Sequence, residues 1–299
     1  MIKVKLDDIP IGEKHPVYII AEAGVNHNGD MQIAKKLIEA AKDAGADAVK
    51  FQSFKAENLN TQKAPKSTYH IERTGDDNEQ TWFELLKTQE ISEEMHLELI
   101  DYCRVTNITF LSTPYDIESA DLLDKLNVPF FKIASTDANN IPMLKHIALK
   151  GKPVILSTAM CTLSEVTDSY NAIRETGNDQ IVLLHCTANY PSRLEDSNLR
   201  AINTLKNKFN CLVGYSDHSV GVINPVAAVS LGSAVYEKHF TIDKNLPGPD
   251  HRASLEPHEL KQMVRDIRQT EAALGSSKKN PLESEMENII KLRKSIVAS

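Results

Sequence analysis

Eight short apolar runs, each closing on polar residues, alternate along this chain with stretches of helical period. The runs lie at 17–22, 47–52, 108–112, 129–134, 153–157, 181–185, 212–218 and 235–240. Helices are predicted from an Asp30 N-cap to a closing Gly45, and at 92–106, 117–126, 141–149, 164–175, 196–209, 222–232 and 256–274. In the first of them Ile33, Ala34, Leu37, Ile38 and Ala41 fall on one stripe, the face that packs on a sheet. Strict alternation of strand and helix over about 260 residues predicts an α/β chain folded as a TIM (β/α)8 barrel. An open doubly wound sheet is the alternative, and no GxGxxG turn supports it. The stretch 55–80 departs from the pattern. It is polar, lacks a clear period, and is long for a connection, which suggests a lid or binding loop. A further helix is expected at about 282–291.

Strand side chains alternate between faces. Leu212, Gly214, Ser216 and His218 therefore share one face, and Val235, Glu237 and His239 share another. The intervening helix is long enough for a parallel crossover, so His218 and His239 are expected side by side at the same end of adjacent strands. Polar residues gather at that end of every run: Glu22, Lys50, Gln52, Thr113, Lys132, Ser135, His185, Ser216, His218, Glu237 and His239. In a barrel these positions form the mouth, where active sites sit.

Two converging imidazoles beside a carboxylate suggest a divalent metal. The imidazole-and-oxygen donor set leaves Mn2+, Fe2+, Co2+ and Zn2+ open. Lys50 and Lys132 lie within strands, where lysine is rare, and point to a phosphate or carboxylate, or to a Schiff base. Lys238 falls on the opposite face and should meet the helix layer. Glu22 and Glu237 read as acid–base groups or as partners of a metal-bound water. Ser216 and Thr113 are possible phosphate donors, and Asp250, in a Pro-Gly-Pro-Asp-His loop, is ambiguous. Among the other histidines, His185 reads as structural. His27 and His251 suit a site or a surface equally, and His15, His70, His96, His146 and His258 read as surface residues. Cys186 reads as an inert thiol.

Composition narrows the partners. The net charge is −7 and no basic tract occurs, which argues against nucleic acid and against an anionic membrane. No run of 18 apolar residues is present, and the N-terminus lacks a signal-peptide core. Four cysteines without CxxC spacing read as reduced thiols, so a cytoplasmic protein is expected. On the residues alone, metal-assisted hydrolysis, aldol-type condensation and isomerisation stay open.

The motifs are more specific than the pattern. Ile-Ala-Glu-Ala-Gly-Val-Asn-His-Asn-Gly (20–29 with Ile19 before it), Val-Lys-Phe-Gln (49–52), Leu-Ser-Thr-Pro (111–114), Phe-Lys-Ile-Ala-Ser (131–135) and Leu-His-Cys-Thr-Ala-Asn-Tyr-Pro (184–191) occur in order. Gly-Tyr-Ser-Asp-His (214–218), Glu-Lys-His-Phe-Thr (237–241) and Gly-Pro-Asp-His (248–251) follow. Over nearly its whole length the chain resembles the N-acetylneuraminate (sialic acid) synthase family, which includes the legionaminate and pseudaminate synthases. That resemblance implies a TIM barrel that condenses phosphoenolpyruvate with an N-acetylmannosamine-type sugar, giving a nine-carbon sialic acid and phosphate. It also implies a divalent metal, typically Mn2+, and a homodimer. By residue-wise carry-over, His218 and His239 are the metal ligands, and Glu22 and Glu237 handle the water and its protons. Lys50, Lys132, Ser135, Thr113 and Ser216 cradle phosphoenolpyruvate, while Gln52, Tyr190, Asp250 and Asn78 contact the sugar.

Three departures stand out. Many members read Ser-Gly-Glu after the fourth strand, where this chain reads Ser135-Thr136-Asp137, so Asp137 carries the catalytic carboxylate on a shorter arm. A phosphoenolpyruvate-binding asparagine of some members corresponds to Ala188, with Asn189 next to it. Members usually continue past a segment like Arg293-Lys294-Ser295-Ile296-Val297 into a small antifreeze-like domain. The expected organisation is thus a barrel over 1–275 and a helix or linker over 276–299. A metal-dependent barrel hydrolase and a non-catalytic barrel are the competing readings.

Overall fold

The structure is a computed structural model describing residues 4–12, 14–66, 68–74 and 80–297. A hairpin, β1 (Val4–Leu6) and β2 (Ile9–Ile11), comes first. The chain then runs β3 (Tyr18–Gly24), α1 (Met31–Ala44), β4 (Ala48–Ser53), α2 (Ala56–Leu59), α3 (Thr68–Thr74), α4 (Trp82–Gln89), α5 (Glu93–Thr106) and β5 (Thr109–Pro114). Next come α6 (Ile117–Lys125), β6 (Phe131–Ile133), α7 (Ile141–Ala148), β7 (Val154–Ser157), α8 (Leu163–Arg174), β8 (Ile181–Cys186), α9 (Ala201–Phe209) and β9 (Leu212–Asp217). α10 (Ile223–Ser230), β10 (Val235–His239), α11 (Pro257–Leu274) and α12 (Met286–Leu292) complete it. The strands β3 to β10 form one parallel sheet in the order β5-β4-β3-β10-β9-β8-β7-β6, and its two end strands lie against each other. This is the expected TIM barrel.

Each strand is buried on both faces, and its alternation sorts residues into two cores. Ile19, Ala21, Val49, Phe51, Leu183 and Val213 pack outward against the helices. Tyr18, Ile20, Ala48, Leu111, Ile155, Val182 and Val235 form the interior core, closed below by Val4, Leu6 and Ile11 of the hairpin. Full burial of such an aliphatic side chain contributes about 1.5–3 kcal/mol, so the hairpin is a substantial plug for the barrel floor. Gly214 is required by this packing: a Cβ there would lie 2.4 Å from the Val235 carbonyl and 2.6 Å from Leu184.

Local signals read in the sequence recur in the structure. The Asp30 side chain accepts from the amides of Gln32 and Ile33, and Gly45 ends α1 in the left-handed region at φ 85°. Other expectations change. α9 begins at Ala201 rather than 196, because residues 194–197 form a single 3-10 turn. The stretch 55–80 holds α2 and α3, and α4 follows it with a Thr81–Glu84 capping box. Helices of four to eight residues are too short for the 3.6 period to register. α2 and α4 contribute to a small apolar cluster with Val25, Phe54, Ala56 and Leu86 at its centre. The Arg73 guanidinium ties α3 down by donating to the carbonyls of Tyr190 at 3.2 Å and Pro249 at 3.1 Å.

Two histidines expected on the surface are not there. His96 is buried, with Nε2 2.6 Å from the Ser53 hydroxyl and Nδ1 donating to the Ser92 carbonyl. His70 stacks on Trp82 with ring centroids 4.1 Å apart. Lys238 does face outward as expected, 2.6 Å from Asp217 and wholly buried with it. No helix among the described residues is long and apolar enough to cross a membrane.

Candidate active site

Above the apolar interior core, the inward positions of the strands turn polar. The register places His239 of β10 beside Glu22 of β3, Glu22 beside Lys50 of β4, and Glu237 beside Ser216 of β9. These residues surround a cavity of about 780 Å3 at the C-terminal end of the barrel, within the usual range for small-molecule sites. Gln52, Thr113, Lys132, Ser135, Tyr190, His218 and Asp250 line it too.

A buried charge network forms its floor. Lys50 Nζ lies 2.8 Å from Glu22, 3.7 Å from Glu237, and donates to the Thr113 hydroxyl at 2.9 Å. Lys132 Nζ lies 3.5 Å from Glu237, which also accepts from Ser216 at 2.9 Å. Gln52 donates to Glu22 at 3.3 Å. Ser135 Oγ sits 3.3 Å from Cys186 Sγ and accepts from the Ala159 amide. Each charged group here is at most 4% exposed, so each is expensive unless paired.

The pairing splits the two carboxylates. Burial raises the pKa of Glu22 above the usual carboxylate range against the pull of Lys50. Burial opposes the charge of Glu237 as well, but Lys132, Lys50 and the Ser216 hydroxyl outweigh it and lower its pKa. Lys132 is pushed down by burial, whereas Lys50 is held above the ordinary lysine value because its two glutamates outweigh its burial. Two carboxylates with opposite displacement in one cavity provide one proton carrier and one fixed anion.

The histidine pair stands at one side of the network. The rings of His218 and His239 have centroids 5.5 Å apart, and Tyr190 packs on His218 at 4.2 Å. His218 Nδ1 donates to the Thr187 carbonyl at 2.6 Å, which keeps the lone pair on Nε2. Burial lowers the pKa of His218 to about 3, and burial lowers that of His239 as well, so both rings are neutral near pH 7. His239 Nδ1 is buried without a hydrogen-bond partner and lies 4.0 Å from Asp250.

With this geometry in place, comparison with known proteins decides the family. The NeuB family profile matches residues 37–279. An N,N'-diacetyllegionaminic acid synthase of Campylobacter jejuni is 50% identical over 282 residues, covering 94% of this chain and 84% of that protein. The chain belongs to the NeuB family. An N-acetylneuraminate-9-phosphate synthase of Mus musculus is 40% identical over 289 residues, 96% of this chain and 79% of that one. Among solved structures, an N-acetylneuraminic acid (sialic acid) synthetase from Leptospira borgpetersenii, in complex with citrate, superposes with a TM-score of 0.86 at 36% identity. It covers 97% of this chain and 96% of that one.

In this NeuB chain most residues singled out from the sequence converge on one cavity. Two do not. The Asp137 carboxylate lies outside the lining and accepts from the Thr136 hydroxyl and the Asn140 amide, both at 3.3 Å. Asn78 lies outside the described residues. The remaining histidines near the mouth are structural. His27 packs on Phe51 and accepts from the Gly29 amide, His251 pairs with the Thr241 hydroxyl, and His185 bonds the Ser197 carbonyl. The NeuB cavity also has lining residues that the sequence pattern did not single out: His70, Trp82, Leu86 and Gln89 from the region over the mouth, and Tyr115 beyond β5. Trp82, Leu86 and Gln89 recur at helical spacing, but over the eight residues of α4 that period does not stand out.

Proposed function

We propose that this chain condenses phosphoenolpyruvate with an N-acylated mannosamine, giving a nine-carbon sialic acid and phosphate. The supporting observation is the pair of buried lysines, Lys50 and Lys132, set in one cavity with two carboxylates and two neutral imidazoles. A doubly anionic substrate balances such lysines, and family membership supports the reaction class.

In the reaction, C3 of phosphoenolpyruvate bonds to the aldehyde carbon of the open-chain sugar. Water adds at C2, and the bond from C2 to the phosphate oxygen breaks. The water oxygen becomes the C2 carbonyl oxygen, and its two protons go one to the aldehyde oxygen and one to the departing phosphate. Lys50 and Lys132 hold the phosphate and carboxylate, aided by the hydroxyls of Thr113, Ser135 and Ser216. Glu22, whose pKa is raised toward neutrality, carries the moving proton. Glu237 stays ionised and keeps the lysine heads in place. Gln52, Tyr190 and Asp250 orient the sugar.

The chemistry of the donor set fits a divalent metal. His218 presents a free Nε2 lone pair, and the buried His239 Nδ1 lacks a hydrogen-bond partner. No group of three His, Cys, Asp or Glu side chains among the described residues is arranged to hold an ion, so His218 and His239 would bind it with the remaining positions left to substrate and water. Bound there, Mn2+ would supply Lewis-acid polarisation of the aldehyde. Phosphate release from phosphoenolpyruvate and N-acetylmannosamine, with Mn2+ and then with chelator, tests the proposal. Release that needs both sugar and metal is expected; no release with any mannosamine overturns it.

A further inference from the structure

The proposed chemistry leaves one polar group of the cavity without a role, the thiol of Cys186. Along β8 this residue shares the parity of Val182 and Leu184, which belong to the interior core, so its side chain points inward and lines the cavity. Its Sγ lies 3.3 Å from Ser135 Oγ. Ser135 stands just beyond β6, Ala159 just beyond β7 and Cys186 at the end of β8, so three successive strands deliver their ends to one hydroxyl.

A serine hydroxyl has one hydrogen and two lone pairs. The Ala159 amide can only donate, and at 2.9 Å it fills one lone pair of Ser135 Oγ. The hydrogen and the second lone pair are shared between the thiol and the cavity, onto which the half-buried Ser135 opens. Two arrangements are possible. In one, the Ser135 O–H donates to sulfur, and the oxygen turns a lone pair to the cavity, where it repels an anion. In the other, the Cys186 S–H donates to Oγ, both lone pairs are filled, and the O–H is left for the cavity.

Only the second arrangement binds an anionic oxygen. A hydrogen bond to a charged acceptor is roughly twice as strong as a neutral one, so an anionic ligand selects it. We propose that Cys186 is a positioning residue of the phosphoenolpyruvate cradle: its thiol donates to Ser135 Oγ and thereby turns the Ser135 hydroxyl toward an anionic oxygen of the substrate. This rests on the synthase reading above for the ligand, and it gives the thiol a role without nucleophilic chemistry.

The test is calorimetric titration of the full chain and its variants with phosphoenolpyruvate. Cys186→Ala and Cys186→Val both remove the donor, the first leaving a void and the second filling the space of the sulfur. Each should weaken binding about three- to tenfold, the worth of one net hydrogen bond. Cys186→Ser restores a donor and should bind within about twofold of the parent. Ser135→Ala should cost a factor similar to the deletions. Adding Cys186→Ala or Cys186→Val to it should cost nothing more, because the thiol acts only through that hydroxyl. The two deletions perturb packing in opposite ways, so one that folds is enough to complete the cycle. Unchanged affinity in the deletions, a serine variant as weak as they are, or losses that multiply in the double variant each overturn the positioning role. Phosphate release, measured in parallel, separates the two ideas. Turnover by the parent with losses that multiply sinks the role of Cys186 and leaves the synthase reading standing. A fully coupled cycle without turnover on any mannosamine does the reverse. A parent chain that binds no phosphoenolpyruvate overturns both.

Discussion

Lys50 Nζ lies 2.8 Å from Glu22 Oε2, and both side chains are almost wholly buried on neighbouring strands at the barrel mouth. The pair is not a simple structural bridge, because Glu22 is already pushed toward its protonated form while Lys50 is shared with Glu237 at 3.7 Å. Lys50→Met therefore leaves Glu22 free to neutralise itself by taking up a proton. We expect a loss in kcat/KM of about 10^2 to 10^3, the range for removing one preorganised charge contact, mostly as a raised KM for phosphoenolpyruvate. Steady-state kinetics at varied phosphoenolpyruvate would show it, and an unchanged KM would remove Lys50 from the phosphate cradle.

Glu22→Gln keeps the shape but cannot move a proton, and its single amide oxygen accepts from only one of the two donors, Lys50 and Gln52, that meet the carboxylate. Its kcat should fall about 10^2 to 10^4, the usual contribution of general acid–base catalysis, with phosphoenolpyruvate binding retained. The sign of the pH effect on stability follows from the raised pKa. The native state holds a proton that the unfolded chain has released, so this group's contribution is full at acid pH and declines as pH rises from the ordinary glutamate value to the raised one. The variant should flatten that decline in a series of urea melts across pH.

His218→Gln removes the imidazole that the Thr187 carbonyl orients. Loss of one of the two proposed ligands should weaken Mn2+ binding by at least about a hundredfold, larger than the 10 to 100 typical of an outer-shell change. Free Mn2+ measured by electron paramagnetic resonance provides a readout independent of turnover. Equal affinity in the variant and the parent would exclude His218 as a ligand.

Lys238 and Asp217 are both fully buried and 2.6 Å apart, and Asp217 also accepts from the Tyr236 hydroxyl and from Ser219. Asp217 and Ser219 flank His218 in sequence, so this network holds the loop that presents it. Lys238→Met leaves the carboxylate unpaired in the helix layer and should cost about 3–5 kcal/mol. The urea midpoint should drop without a change in slope.

His27 and His251 are buried as neutral rings, and burial pushes both pKa values down to about 4. The unfolded chain takes up these protons near pH 6.5, well before the native state does. The contribution of these groups is therefore full above about pH 6.5 and is lost as pH falls toward 4. At about 1.4 kcal/mol per unit it amounts to on the order of 3 kcal/mol for each ring. In urea melts between pH 5 and 6, His27→Asn should reduce the proton uptake on unfolding by about one.

The barrel was legible because its signal repeats. Parity along the strands put Ser216 with His218 on one face and Glu237 with His239 on one face, and brought His218 to His239, whose rings lie 5.5 Å apart. Lys238 was assigned to the helix layer on parity alone. Where no repeat exists, the sequence was mute. His96 sits in a helix of ordinary amphipathic pattern, and only the Ser53 hydroxyl across the packing interface explains its burial. Asp137 belongs to a motif position, yet it turns toward Asn140 at the start of α7.

By itself, then, the sequence determined the strand-and-helix alternation, the parity of each strand residue, and with these the polar end of the barrel, since all three depend on neighbours along one chain. The tertiary structure alone decided which carboxylate carries a raised pKa, because that follows from how many lysines each meets across strands. It also decided that α4 forms a wall of the cavity. A short helix acquires its place from packing onto Val25 and Phe54, residues distant in sequence, and no local period encodes that contact.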